Sequence, residues 1–308
     1  EYFFYNGGGD SQDTTLKVSK MAKELQLPLT CIGIPKTVDN DLPITDCSPG
    51  FGSVAKYVAT STLEAGLDVK SMSETSTKVF ILEVMGRHAG WIAAASALAS
   101  TNETDPPHII LMPEVPFVKK KFIDKVKQTV ADEGFCVVVA SEGTRYKNGM
   151  FLADSGLTDA FGHKQLGGVA PVLAQMISSI GLKNHWAVSD YLQRSARHIS
   201  SKTDLDQAYA VGKKAVEFAL AGKNAVMPVI KRLSDKPYKW KIESASLSKV
   251  ANVEKTLPKG FISKDGFKIT KKGIAYLKPL IQGETSIVYE NGIPVVARLK
   301  NNLVKKIT

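Results

Sequence analysis

Cysteine is scarce: Cys31, Cys47 and Cys136 are the only three in 308 residues. They are odd in number, widely spaced and unaccompanied by a CxxC pair or a histidine cluster, which argues against a disulfide framework and a cysteine-ligated zinc site. Buried thiols are expected instead. Long apolar runs are missing too. The longest, around Ile92 to Ala99 (IAAASALA), falls far short of the ~20 residues a membrane-spanning helix needs, and no leader pattern opens the chain. No membrane partner is expected, and a cytoplasmic location is. No internal repeat or low-complexity linker interrupts the sequence.

What remains is ordinary globular material, 44% hydrophobic and 23% charged, long enough for one large or two ordinary domains with sizeable cores. The net charge of +10 admits two kinds of anionic partner, a nucleic acid or small molecules held in a cavity. The lysines of Lys119-Lys120-Lys121, Lys125 and Lys127 fall on a predicted helix, and Lys305 and Lys306 at the terminus, without interleaved aromatics. A solvated face explains them, and no nucleic-acid partner is expected. The opening run Glu1-Tyr2-Phe3-Phe4-Tyr5-Asn6 is strand-like and lacks an initiator methionine, so the chain is expected to begin inside a domain.

Elements alternate. Strands are predicted at Tyr2 to Tyr5, Leu29 to Ile34, Lys78 to Val84, His108 to Met112, Phe135 to Ala140 and His185 to Leu192. Between and after them, helices are predicted near Ser11 to Leu25, Ser53 to Met72, His88 to Ala99, Lys119 to Glu133, Gly167 to Ile180 and Asp204 to Ala221. Strands apolar on both faces, alternating with helices, imply an α/β fold with parallel sheets covered on both sides. Beyond Asn224, short strands and lysine-rich turns suggest an appended subdomain.

Polar residues collect where strands end. Gly7-Gly8-Gly9-Asp10-Ser11 lies between a strand and a helix, where glycines admit a ligand to the backbone and helix N–H groups can hold phosphate; taken alone, the plainer reading is a tight turn with Asp10 or Ser11 capping the helix. Its spacing is neither the dinucleotide fingerprint nor the P-loop. Gly33-Ile34-Pro35-Lys36-Thr37-Val38-Asp39-Asn40-Asp41-Leu42 crowds two carboxylates, a lysine and a hydroxyl onto one loop. One aspartate could take a proton from a hydroxyl, the other orient a metal-bound phosphate, and Lys36 neutralise charge; the bland reading is an Asx turn. Pro49-Gly50-Phe51-Gly52-Ser53 adds a third flexible loop. In Glu83-Val84-Met85-Gly86-Arg87-His88-Ala89-Gly90-Trp91, the Arg87 fork could hold a phosphate, while His88 is read as a capping or core histidine. Pro113-Glu114, Ser141-Glu142-Gly143 and Tyr191-Leu192-Gln193-Arg194-Ser195 follow further strands.

Taken in order from the first residues to about Ala221, this set resembles the phosphofructokinase family. The resemblance implies two Rossmann-like parallel-sheet domains: residues 1–53 as the remainder of a phosphoryl-donor domain, 54–223 mainly a sugar-phosphate domain, and 224–308 a C-terminal extension returning to the core. It implies transfer of a phosphoryl group to the 1-hydroxyl of fructose 6-phosphate, a glycolytic step, with Mg2+ as cofactor and a homo-oligomer, dimer or tetramer, as the assembly. Asp39 matches the catalytic base, with Lys36 beside it, and Asp41 matches the magnesium-associated aspartate. Thr37, Met85, Gly86, Arg87, Glu114, Tyr191 and Arg194 match sugar-phosphate contacts. Lys78 and His185 fall where a neighbouring subunit supplies basic residues, commonly arginines. Gly8, Gly9, Asp10 and Ser11 match the donor loop.

Pyrophosphate-dependent members carry an aspartate and a lysine where ATP-dependent members carry glycines, and those positions here are Asp10 and Lys36. An Asp10 side chain occupies space an α-phosphate needs, and Lys36 offers charge to a donor without a nucleoside anchor. Pyrophosphate is therefore the expected donor, with ATP and a non-catalytic regulatory subunit as alternatives. Gly9 departs from the acidic residue many members have, so Asp10 is assigned to either donor or metal. Family members also have an earlier strand and glycine-rich loop at the donor site; without them the 308 residues alone are expected to be inactive.

Overall fold

The computed structural model describes residues 1–158 and 164–303; Lys305 and Lys306 lie outside that range. Two four-stranded sheets organise the chain. Strand β1 (Tyr2–Gly7) runs through helix α1 (Gly9–Glu24) into β2 (Thr30–Pro35), and β1 and β2 pair in parallel from Tyr2↔Thr30 to Gly7↔Pro35. Helix α2 (Phe51–Met72) leads to the second sheet: β3 (Val79–Val84), a short α3 (Trp91–Ala95), β4 (Ile109–Leu111), α4 (Lys119–Glu133) and β5 (Cys136–Ser141). A ribbon of β6 (Asp154–Thr158) and β7 (Lys164–Leu166) precedes α5 (Val169–Ser178) and β8 (Asn184–Val188). The second sheet has the order β4-β5-β3-β8 and is parallel throughout.

After α6 (Leu192–Ser195) and α7 (Lys202–Leu220), the chain returns to the first sheet. Strand β9 (Val226–Asp235) joins β2 in parallel at Ile32↔Val226, and β10 (Tyr238–Ser246) lies antiparallel outside it. These are strands of ten and nine residues, not the short ones expected beyond Asn224. They complete the first sheet, because Met227, Val229, Ala245, Leu247 and Val250 form one buried cluster with Leu42 of the β2 loop. Helix α8 (Lys271–Leu277) and a small ribbon of β11 (Tyr289–Glu290) and β12 (Ile293–Pro294) follow.

The alternation of the second sheet's side chains explains its continuous apolar strands. Val79 and Ile81 of β3, with Val138 of β5, pack on α4 and α5 through Phe122, Val126, Val169 and Leu173. Leu82, Val84 and Val139 face the opposite layer, against Phe51, Val54 and Val58 of α2 and Trp91 and Ile92 of α3. Both faces are dry, as helix-covered parallel sheets require. Glu83 is the exception within β3; its carboxylate, 5% exposed, accepts the Ala170 amide at 2.7 Å and so sits at the positive end of α5. All three cysteines are free and buried. Lys119, Lys120 and Lys121 lie on the exposed face of α4 while Phe122, Val126 and Thr129 are buried. None of the helices among the described residues is long and apolar enough to cross a membrane.

Two predicted elements are shorter than expected. The helix read from His88 begins only at Trp91, because residues 85–90 are held as a turn by contacts described below. The strand read to Leu192 stops at Val188: Asp190 takes a left-handed conformation, φ 36°, and the next residues form α6.

Buried His108 makes acid sensitivity an expected property. Its Nδ1 accepts the Val137 amide at 2.9 Å and its Nε2 meets the Thr104 carbonyl at 3.2 Å, a pairing that holds the ring neutral. Burial pulls its pKa down to about 4 from an ordinary 6.5, with Lys268 adding to the effect. The unfolded chain therefore binds this proton first; the contribution is whole above pH 6.5 and is lost as pH falls toward 4, worth at most about 3 kcal/mol. Urea denaturation at pH 7.5 and 4.5 should show a steeper loss in the wild type than in His108→Gln. Equal losses would refute the assignment.

Candidate active site

Both sheets end their parallel strands toward a cleft of about 620 Å³. Its walls come from five places: Gly9 and Asp10 at the start of α1, Asp39, Asp41 and Leu42 after β2, Arg87 and His88 after β3, Glu142 after β5, and Asn252, Val253 and Glu254 beyond β10. Ligands of open α/β sheets bind at such carboxyl ends.

The loop after β2 is built from its own polar groups. The Thr37 hydroxyl accepts the Asp39 amide at 3.1 Å and approaches Asp39 Oδ2 at 3.4 Å, while the Thr37 amide donates to the Pro49 carbonyl at 3.2 Å. Asn40 is fully buried with a left-handed backbone, φ 54°, a conformation asparagine tolerates better than most residues. This kink turns Asp39 and Asp41 toward the cleft. Burial raises the Asp39 carboxyl above its ordinary value; Glu142 adds to the rise, and the Thr37 bond, His88 and Lys36 oppose it. Burial and the neighbouring Asp39 push Asp41 up to about 6. One Asp41 oxygen, Oδ1, is buried without a hydrogen-bond partner among the described residues. Lys36 itself is exposed at the end of β2, its amide bonded to the Gly7 carbonyl at 3.1 Å.

The Arg87 turn is held by close backbone approach. Gly86 has φ 125°, and at Gly143 a Cβ would stand 2.0 Å from the Arg87 carbonyl oxygen, so only glycine fits either place. The Met85 amide donates to Gln193 Oε1 and the Gly86 amide to Glu142 Oε1, each at 3.3 Å. Burial raises the Glu142 carboxyl, and the positive charge of Arg87 works against that rise. A Cβ at Gly9, by contrast, would meet nothing within 4 Å; the glycine loop before α1 borders open space rather than packed chain. Asp10 is exposed in the first turn of α1, between Gly9 and Ser11, and Gly8 is the residue just before the helix.

Several expected residues lie elsewhere. Glu114 is not on the cleft wall: its carboxylate accepts the Gly90 amide at 2.9 and 3.1 Å and the Leu257 amide at 2.8 Å, fixing the start of α3. Arg194 stacks on the Tyr191 ring, 4.1 Å from its centroid, and lines a neighbouring cleft of about 270 Å³ together with Val38, Gly50, Ser53 and Arg197. Asp39 and Val38 thus face two different clefts, with the loop as the wall between. Lys78 and His185 are remote: Lys78 precedes β3, and His185 on β8 pairs with Phe80. The six residues of β3 separate Lys78 from Met85, roughly 20 Å. The reading of His88 is corrected as well. Neither cap nor core, it is exposed at the rim and pairs with Glu254 at 3.0 Å.

Residues 252–255 were not singled out from the sequence at all. Asn252 donates to Asp13 Oδ1 at 3.0 Å, tying this segment to α1. Lys255 passes beneath the β2 loop, where burial draws its ammonium down to about 8 against the attraction of Asp46 and Asp41. Its neighbours in sequence, Ala251-Asn252-Val253-Glu254, carry no motif.

A family model described as Phosphofructokinase matches residues 1–219. The chain belongs to the phosphofructokinase family. Among curated relatives, the pyrophosphate–fructose 6-phosphate 1-phosphotransferase of Halomonas elongata is 64% identical over 306 residues, covering 99% of this chain and 73% of that protein. Two solved pyrophosphate-dependent phosphofructokinases have the same architecture. That of Marinobacter aquaeolei superposes with a TM-score of 0.90 at 61% identity, over 99% of this chain and 74% of its own. That of Nitrosospira multiformis gives 0.91 at 58% identity, over 100% and 74%.

Proposed function

We propose that the protein moves a phosphoryl group from pyrophosphate to the 1-hydroxyl of fructose 6-phosphate. The observation that carries this reading is the pair Asp39 and Asp41 on one kinked loop, facing a cleft that also holds Arg87 and the start of α1. Asp39 accepts the 1-hydroxyl proton as the sugar oxygen bonds to phosphorus and the bridging P–O bond breaks, releasing orthophosphate. Burial suits it to that task, since a carboxylate raised above its ordinary value is a stronger base. The Thr37 hydroxyl fixes its orientation and faces the sugar. Lys36 balances charge on the departing phosphate, and Gly8, Gly9, Asp10 and Ser11 border the donor.

Magnesium fits the residues present. The orphaned Asp41 Oδ1 is a buried anionic oxygen in need of a cation, and the repulsion from Asp39 is relieved by one. Mg2+ commonly takes one or two protein carboxylates and completes its shell with substrate phosphate and water, and Asp41 with Asp10 supplies that number. Bound there, Mg2+ would neutralise charge on the pyrophosphate oxygens. Arg87, in one turn with Met85 and Gly86, borders the sugar phosphate, while Arg194, stacked on Tyr191, approaches from the adjoining cleft. In a homo-oligomer, dimer or tetramer, Lys78 and His185 would meet the substrate of a neighbouring subunit. A cytoplasmic location accords with both substrates.

A coupled assay of the full-length protein with fructose 6-phosphate and either donor tests the reading. Turnover with pyrophosphate should exceed that with ATP by about 10²-fold or more in kcat/KM, the effect of charge-assisted contacts that one donor makes and the other does not. Preference for ATP would overturn the donor assignment.

A further inference from the structure

The loop that carries Asp39 and Asp41 is held from below by residues outside the 1–219 segment that matches the family model. Lys255 Nζ donates to three oxygens, Asn40 Oδ1 at 3.3 Å and the carbonyls of Thr45 and Asp46 at 3.0 Å each, which uses every proton of an ammonium. Its backbone amide donates to the Asp41 carbonyl at 2.6 Å, and its own carbonyl accepts Trp91 Nε1 at 2.9 Å. One residue therefore grips the loop at 40, 41, 45 and 46 and anchors it to the start of α3. Tyr276 of α8 closes the same network: its hydroxyl accepts Asn40 Nδ2 at 3.1 Å and donates to the Asp46 carbonyl at 2.5 Å. Arg232 of β9 holds the Asp46 carboxylate at 3.0 and 2.9 Å and the Tyr276 carbonyl at 3.0 Å.

We infer that Lys255, with Tyr276, is a positioning residue for phosphoryl transfer, fixing the buried Asn40 so that the aspartates on either side of it keep their aim into the cleft. The inference rests on the proposed roles of Asp39 and Asp41. Lys255 and Tyr276 touch no reacting atom; neither lines the cleft. The physical argument is leverage. Asn40 is the kink of the loop, its three side-chain hydrogen bonds among the described residues run to Ser48, Tyr276 and Lys255, and two of those partners belong to the part of the chain that follows β10. A loop so tethered has one arrangement; a loop released at Asn40 has several, and an aspartate misplaced by an ångström loses most of its effect on the transition state. The segment beyond β10 is thus part of the catalytic apparatus, not an ornament on it.

Steady-state kinetics of full-length Lys255→Met and Tyr276→Phe test this, measured with whichever donor the wild type uses, alongside calorimetric binding of fructose 6-phosphate. Loss of loop aim should lower kcat about 30-fold in Lys255→Met and about tenfold in Tyr276→Phe, with KM and Kd for the sugar within about threefold. If Lys255→Met does not fold, as judged by circular dichroism, Tyr276→Phe alone decides, since it removes one hydroxyl and no charge. Folded variants with kcat within about twofold of wild type, or a parallel fall of kcat and sugar affinity, would overturn the inference. A wild type that prefers ATP would count against the donor reading only, because the ratio of variant to wild-type kcat does not depend on it.

Discussion

Asp39→Ser is expected to lower kcat by about 10³-fold while fructose 6-phosphate binds within about threefold of its wild-type Kd, the range that loss of a general base produces. The asymmetry follows from where Asp39 stands. Its carboxylate is turned into the cleft by the Asn40 kink, and among the described residues its hydrogen bonds are to Thr37, so removing it strips the proton acceptor without dismantling the Arg87 turn. That turn is held separately, by Gly86, Gly143, Glu142 and Gln193. Serine also preserves a small polar group beside Thr37, which keeps the loop from collapsing. The pH profile gives a second readout. A base must be deprotonated to act, and burial with the neighbouring Glu142 raises the Asp39 carboxyl above its ordinary value; the acid limb of kcat should therefore lie above the ordinary carboxylate range and vanish in the serine variant. Equal losses of kcat and of sugar binding would deny Asp39 the base role.

How legible was this site in the sequence? Asp39, Asp41 and Arg87 were, because each follows an apolar strand directly and the parallel sheet fixes where such loops end. The helix α4 was predicted with its observed bounds, Lys119–Glu133, since its apolar residues keep helical spacing and Gly134 ends it in a left-handed conformation. Lys255 and Tyr276 were not. They contact Asn40 across 215 and 236 residues of sequence, and a pattern read over a dozen residues carries no trace of such a pairing. The same holds for Glu114: a glutamate after a strand suits a sugar hydroxyl or a helix start equally, and the choice was made by the Gly90 and Leu257 amides, one of them 143 residues away. His88 was misread because a histidine opening a helical pattern suggests a cap, whereas the helix starts three residues later and its partner, Glu254, comes from beyond β10.

Lys36→Gly is expected to cut kcat/KM for pyrophosphate by about 10²-fold, the worth of a charge-assisted contact to phosphate lost in full. Pyrophosphate has no base or ribose to hold it, so each cationic contact carries a larger share of its binding than it would for a nucleotide. The cost should fall on the donor and not on the fold. Lys36 is exposed, its amide bond to Gly7 is made by backbone and survives the substitution, and thermal denaturation of the variant should match that of the wild type within a degree or two, as for other surface changes of about 0.5 kcal/mol or less. Sugar binding should be untouched as well, because Arg87 belongs to the turn after β3, whose hydrogen bonds to Gln193 and Glu142 do not involve Lys36. Adding Asp10→Gly removes the side chain that fills space at the start of α1, and the double variant should move the ratio of kcat/KM values toward ATP. Were Lys36→Gly to leave pyrophosphate turnover unchanged, the donor's charge would be met elsewhere, and the exposed end of β2 would have no part in choosing it.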